Sequence, residues 1–146
     1  MECIAYKAGY KYQLKEEYVA RIEIKPGALI DTEYLALTPE GMLTVRKGYA
    51  WDGPSGPTID TLNFMRGSLV HDALYQLMRE HHLDKDQYRE TVDRLLQKIC
   101  QEDGMSALRA WWVYQGVRLG GDPAADPAND KPLIRAPETC RQIRPE

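Results

Sequence analysis

At 146 residues, the chain has the length of one domain and enough side chains to build a core without disulfide or metal staples. Hydrophobic residues at 43% and charged residues at 28% argue against a disordered or fibrous protein, and a net charge of −3 with a pI near 5.7 argues against an electrostatic hold on nucleic acid. Cys3, Cys100 and Cys140 are widely spaced and form no Cys-x-x-Cys pair, which speaks against a disulfide framework or a thiolate zinc site and fits a reducing cytosol.

The first fifty residues read as strands. Apolar and polar residues alternate in Tyr12-Gln13-Leu14-Lys15 and again from Tyr18 to Ile24, the two-residue period of a half-buried strand, until Pro26-Gly27 breaks the run. Tyr34-Leu35-Ala36-Leu37 and Met42-Leu43-Thr44-Val45-Arg46, joined by Thr38-Pro39-Glu40-Gly41, read as a β-hairpin. A loop rich in glycine and proline follows, from Gly48 to Pro57.

From Met65 the period becomes helical. Leu69, Val70, Ala73, Leu74, Leu77 and Met78 form one apolar side of a helix that should end near His81 or His82. Asp84 and Gln87 have the spacing of a capping pair, and Tyr88, Val92, Leu95, Leu96 and Ile99 continue as the stripe of a second helix. Asp103-Gly104 closes it. Ser106 can cap a third helix that carries Leu108, Trp111, Trp112, Val113, Tyr114 and Val117 up to Gly120-Gly121, the tryptophans being expected in core and interface packing.

Residues 122–146 hold five of the nine prolines and few large apolar side chains, so an irregular tail is expected there. It would be either a flexible end or an arm anchored by Leu133 and Ile134 on a neighbouring subunit. No window has the apolar run of about 20 residues that spans a bilayer, and Met1-Glu2-Cys3-Ile4 lacks the order of a signal peptide. The expected architecture is a single α+β domain over 1–121, an N-terminal antiparallel β-sheet followed by three helices, with a proline-rich C-terminal tail.

Active-site chemistry is concentrated between Gly48 and Glu80. On a helix, His71 and Tyr75 share a face one turn apart, while Asp72 is rotated by about 100°, so the three can border one cleft without meeting at one atom. His71 would serve as a general base on water, Asp72 would bind a cation or orient a neighbour, and Tyr75 would hold a further partner. Asp93, at the edge of the second helix's apolar stripe, is the expected partner, since a carboxylate bordering a core needs hydrogen bonds or a counter-charge. Asp52, in the glycine-rich loop, could ligate calcium or magnesium together with Asp72 and backbone carbonyls, with Asp60 a weaker candidate.

Structural readings compete with each of these. A half-buried His71 bonded to Asp93 merely to satisfy both groups has the same sequence signature. Asp52 could instead make a side-chain turn with Ser55, and His81-His82 could cap a helix end through the dipole instead of holding a metal. Gly53-Pro54-Ser55-Gly56 lacks the G-x-S-x-G elbow of serine hydrolases.

Trp51-Asp52-Gly53-Pro54-Ser55-Gly56-Pro57, Val70-His71-Asp72-Ala73-Leu74-Tyr75, Arg89-Glu90-Thr91-Val92-Asp93-Arg94-Leu95-Leu96 and Tyr114-Gln115-Gly116-Val117-Arg118-Leu119-Gly120 together resemble domain-of-unknown-function family number 1353, seen mostly in tailed bacteriophages and prophages. The resemblance covers about Tyr12 to Gly121. It implies a phage origin and a recurrent set of Asp52, His71, Asp72, Tyr75 and Asp93, with no assigned activity. The group His71-Asp72-x-x-Tyr75 behind a glycine-rich loop is also similar to the secreted phospholipase A2 arrangement. That likeness implies a water-activating histidine, a calcium-binding aspartate beside it, and a tyrosine and distant aspartate holding the histidine. Those enzymes are dense in disulfides, whereas this chain has no cysteines flanking the group and begins with a sheet.

The function expected from these readings is a phage-encoded, metal-assisted hydrolase acting on an ester or cell-envelope component, with His71, Asp93 and Tyr75 catalytic and Asp52 and Asp72 binding the divalent cation. The rival expectation is a non-catalytic phage protein, a virion component or a binder of a host defence factor, partnered by other phage proteins or by itself through the tail. The host cell cytoplasm, or the virion for a structural part, is the expected location.

Overall fold

A computed structural model describes residues 4–6, 12–52, 61–120 and 134–136 of the chain, the first and last of these segments as backbone only. It has the expected α+β order, with strands in the N-terminal half and three helices after them. The strands are β1 (Ile4–Tyr6), β2 (Tyr12–Gln13), β3 (Tyr18–Arg21), β4 (Ile30–Asp31), β5 (Leu35–Leu37), β6 (Met42–Val45) and β7 (Ala50–Trp51). Helices α1 (Leu62–Arg79), α2 (Lys85–Glu102) and α3 (Ala107–Gly120) follow, and β8 (Ile134–Ala136) comes last.

The main sheet is antiparallel with strand order β3-β6-β5-β4. Its centre is the expected hairpin, in register Leu35↔Val45 and Leu37↔Leu43. The Thr38 hydroxyl accepts from Met42 N–H at 3.0 Å, and the turn closes at Gly41, whose φ of +92° falls in the left-handed region. Glycine is required there for a second reason, because a Cβ would collide with the backbone carbonyl of Ile22. Alternation buries Leu35, Leu37, Leu43 and Val45 on one face. Leu69, Val70, Ala73, Leu74 and Leu77 of α1 pack in the same core.

Helix α1 begins earlier than the apolar period suggests, at Leu62, and ends at Arg79. His81 takes a positive φ of 65°, with His81 N–H donating to Met78 C=O at 3.2 Å and His82 N–H donating to Leu77 C=O at 2.8 Å. That pair of bonds is a Schellman closure. The two exposed histidines therefore end the helix through their backbone. At the start of α2 the Asp84 carboxylate accepts from Asp86 N–H at 3.2 Å, one residue short of the Gln87 pairing that the spacing suggests. The Ser106 hydroxyl accepts from Arg109 N–H at 3.2 Å and caps α3 as expected.

Two expectations need correction. Trp111 and Trp112 lie on the surface, and α3 contributes only Ala110 and Val113 to the buried interior, because its inner face meets a small cluster of Phe64, Leu96, Cys100 and Met105. Part of the segment expected to be irregular is a strand: β8 pairs antiparallel with β1 of the same chain, Ile134 opposite Tyr6 and Ala136 opposite Ile4. Three residues between Pro132 and Pro137 are enough for a short edge ladder. The rest of the expected tail, with Leu133, lies outside the described residues, as do Ser55, Asp60 and the Gly53–Pro57 part of the loop. Among the described residues no helix is long and apolar enough to cross a membrane.

Candidate functional site

Helix α1 turns His71 and Tyr75 inward from successive turns, their ring centroids 4.1 Å apart. Antiparallel packing of α2 against α1 sets Asp93 opposite both. Close approach of the two helices rests on Gly67, where a Cβ would stand 3.0 Å from Cys100 Sγ and 3.0 Å from Leu96 Cδ1. His71 Nε2 lies 2.8 Å from Asp93 Oδ1, and the Tyr75 hydroxyl donates to the same oxygen at 2.5 Å. Asp93 is fully buried, and His71 is 8% exposed.

The sequence reading missed two arginines. Arg118, on α3, donates from Nη1 to Asp93 Oδ2 at 3.0 Å, so both carboxylate oxygens are engaged. Arg89, on α2, donates from Nε to the Tyr75 hydroxyl at 3.3 Å and from Nη2 to the carbonyls of Val117 and Arg118 at 3.0 and 2.8 Å. It ties the end of α3 to the network through backbone atoms. Only one signal in the sequence pointed to them: a buried carboxylate facing a neutral histidine and a phenol still lacks a counter-charge, and a basic residue from a third element supplies it.

Electrostatics follow from this packing. Burial alone would raise the Asp93 carboxyl, but hydrogen bonds from His71, Tyr75 and Arg118 outweigh it and hold the group below its usual value. Burial would lower His71, yet Asp72 and Asp93 together raise the imidazole above 6.5. Tyr75 is pushed well above the ordinary phenol value by burial and by the charge of Asp93, so it stays a hydrogen-bond donor. With Asp93 ionised, Nε2 must carry hydrogen, which leaves Nδ1 as the basic position of the neutral ring.

Nδ1 faces Asp72, whose Oδ1 is 3.9 Å away, beyond direct hydrogen-bond reach. Asp72 meets the Asp93 network through His71, in keeping with its rotation from that residue. Its carboxyl is raised chiefly by burial and further by the nearby charge of Asp52, against the opposing pull of His71. Asp52 follows Trp51, whose indole N–H donates to the Ser68 hydroxyl at 3.2 Å and fastens β7 to α1. Thus the five expected residues divide into His71, Tyr75 and Asp93 in direct contact and Asp52 with Asp72 as a second, electrostatically coupled pair. Among the described residues, no group of three or more His, Cys, Asp or Glu side chains converges as a metal site.

In comparison with known families, the model described as "Protein of unknown function (DUF1353)" aligns with residues 28–117. That span contains all five residues and Arg89, while Arg118 lies just beyond it. No curated protein and no solved structure matches the chain.

Proposed function

The chain belongs to the DUF1353 family, and on that premise we propose a bacteriophage-encoded hydrolase, made in the host cytoplasm, that cleaves an ester or a cell-envelope component with His71 as base. The observation that carries this reading is the orientation of the imidazole. Asp93 takes Nε2–H at 2.8 Å and fixes the tautomer, so the Nδ1 lone pair is directed toward the side of the half-buried Asp72. A water on that side would lose its proton to Nδ1 as its oxygen attacks the carbonyl carbon. The imidazolium formed would be stabilised by Asp93, which Arg118 and Tyr75 hold ionised, and would return the proton to the departing oxygen as the tetrahedral adduct collapses and the C–O bond breaks.

Asp52 and Asp72 are the residues that would hold a divalent cation. Two carboxylates match the habit of magnesium, which keeps most of its water, better than that of calcium, which takes about six to eight oxygens. A bound cation would supply positive charge for the oxygen that becomes anionic when an ester is attacked.

A second reading is favoured by the complete burial of Asp93, whose oxygens are all taken by protein donors. On that reading the network only ties three helices together in a non-catalytic phage protein, a virion component or a binder of a host defence factor. A panel of esters, phospholipids and peptidoglycan fragments, tested with magnesium and with calcium, separates the two. The hydrolase reading expects turnover of at least one class, a fall in kcat of about 10²–10⁴ for His71→Ala, and weaker cation binding by calorimetry for Asp72→Asn. Turnover and cation binding that neither substitution changes would overturn it.

A further inference from the structure

Helix α3 is apolar on both sides, which its place in one chain does not explain. Ala110 and Val113 face the interior. On the opposite side Leu108, Trp111, Trp112, Gln115, Gly116 and Leu119 fall at i, i+3, i+4, i+7, i+8 and i+11 and form one continuous stripe without a charge. The large members are open to solvent: Leu108 is 68% exposed, Trp111 44%, Trp112 63% and Leu119 89%. Two adjacent tryptophans locked edge to face, 5.1 Å between centroids, are the kind of rigid aromatic anchor that interfaces use. A contiguous exposed apolar patch of this kind marks a binding surface.

We infer that this stripe is the interface with a second copy of the chain, formed by two α3 helices packed antiparallel about a two-fold axis between residues 113 and 114. Three observations select that occupant. First, the stripe is complementary to itself: the axis sets Leu108 and Leu119 of the two copies together at the centre, Trp112 beside Gly116 of the second copy along one edge, and Trp111 beside Gln115 along the other, so each indole meets a smaller residue. Second, Gly116 is a glycine in the interior of an exposed helix, where it weakens the helix and where a Cβ would meet nothing within 4 Å among the described residues. Nothing among the described residues requires it. An indole from a facing helix does, because only a notch lets the two backbones approach. Third, a fluid bilayer would need no notch, and a chain of net charge −3 gains no attraction from anionic lipid. The inference does not depend on the hydrolase reading, since none of the stripe residues belongs to the His71 network.

Sedimentation equilibrium of the full chain tests it, with Gly116→Leu as the decisive variant and Trp112→Glu as a second. Leucine fits the open space at 116 and favours helix, so Gly116→Leu should keep the helical circular dichroism and a Tm no lower than that of a wild-type monomer. The dimer should nevertheless weaken by about tenfold or more, as it should for Trp112→Glu, which removes a central anchor. Should Gly116→Leu perturb the fold, Gly116→Ala is the milder probe and is expected to weaken the dimer in the same direction. A wild-type chain that stays monomeric at every concentration overturns the inference. So does a dimer indifferent to both the 116 and 112 substitutions. Binding of a monomeric wild type to phosphatidylcholine and phosphatidylglycerol vesicles, with a blue shift of tryptophan fluorescence, would assign the stripe to a membrane surface and likewise overturn it.

Discussion

Asp93→Ala is expected to lower the folding stability by about 3–5 kcal/mol, the range for removing one partner from a buried charge network. The reason lies in what remains. His71 Nε2–H, the Tyr75 hydroxyl and Arg118 Nη1 all donate to this carboxylate, and its deletion leaves three donors, one of them a cation, around a small void. Arg118 lies at the edge of the site and can turn to water, but His71 and Tyr75 are buried and cannot. Asp93→Asn should cost less, because the amide keeps one acceptor oxygen and the shape. It would still leave Arg118 without an anion. Urea denaturation of the two variants beside wild type measures the difference. A loss below about 1 kcal/mol for Asp93→Ala, the level of an ordinary substitution, would show that the three helices are not joined through this residue.

The second large effect is a dependence of stability on pH that belongs to His71. Its folded pKa is raised from 6.5, because Asp72 and Asp93 favour the imidazolium more than burial opposes it. A group raised by folding contributes stability in full below its unfolded pKa and loses it as pH rises through the folded value. Asp93 has the opposite sign: its folded pKa is lowered, so its contribution is present above the unfolded value of about 3.8 and fades as pH falls through the folded one. The network is therefore strongest in an acid-side window, bounded below by the titration of Asp93 and above by that of His71. The stability advantage of wild type over His71→Gln should be large at about pH 5.5 and smaller at about pH 9. An advantage that stays constant across this interval would contradict the placement of His71 between two carboxylates. On the proposed hydrolase reading, catalysis would run against this stability profile, since a base must be neutral: any hydrolysis should rise with pH as His71 loses its proton, where the fold has begun to lose the contribution of its imidazolium.

Much of this arrangement was legible because it depends on local periodicity. The alternation in Leu35-Ala36-Leu37 and Leu43-Thr44-Val45 fixes which face of the hairpin is buried, and the stripe of Val92, Leu96 and Ile99 fixes the face of α2 that meets α1. Once that face is known, Asp93 beside Val92 must point toward His71 and Tyr75. What escaped the sequence was set by contacts between distant elements. Arg118 reaches Asp93 from 25 residues away on another helix, and Arg89 acts on carbonyl oxygens whose position depends on where α3 ends. Neither has a period or a motif. The strands were overextended for a related reason: apolar and polar residues alternate from Tyr18 to Ile24, yet the ladder of β3 with β6 stops at Arg21, where the β6 partner strand ends at Met42 and the turn at Gly41 begins. Of the core and interface packing expected for the tryptophans of α3, the core part fails because an apolar residue on a helix reads as core when only one chain is considered.

The most direct test of the account is the ionisation of the His71 ring, followed by nitrogen-15 NMR of the imidazole across pH. The account predicts hydrogen held on Nε2 in the neutral ring, a titration centred above the ordinary histidine value, and a shift of that titration back toward 6.5 or below in Asp93→Asn. An imidazole that takes up no proton over this range, or one with its neutral hydrogen on Nδ1, would contradict both the tautomer and the base assigned to it.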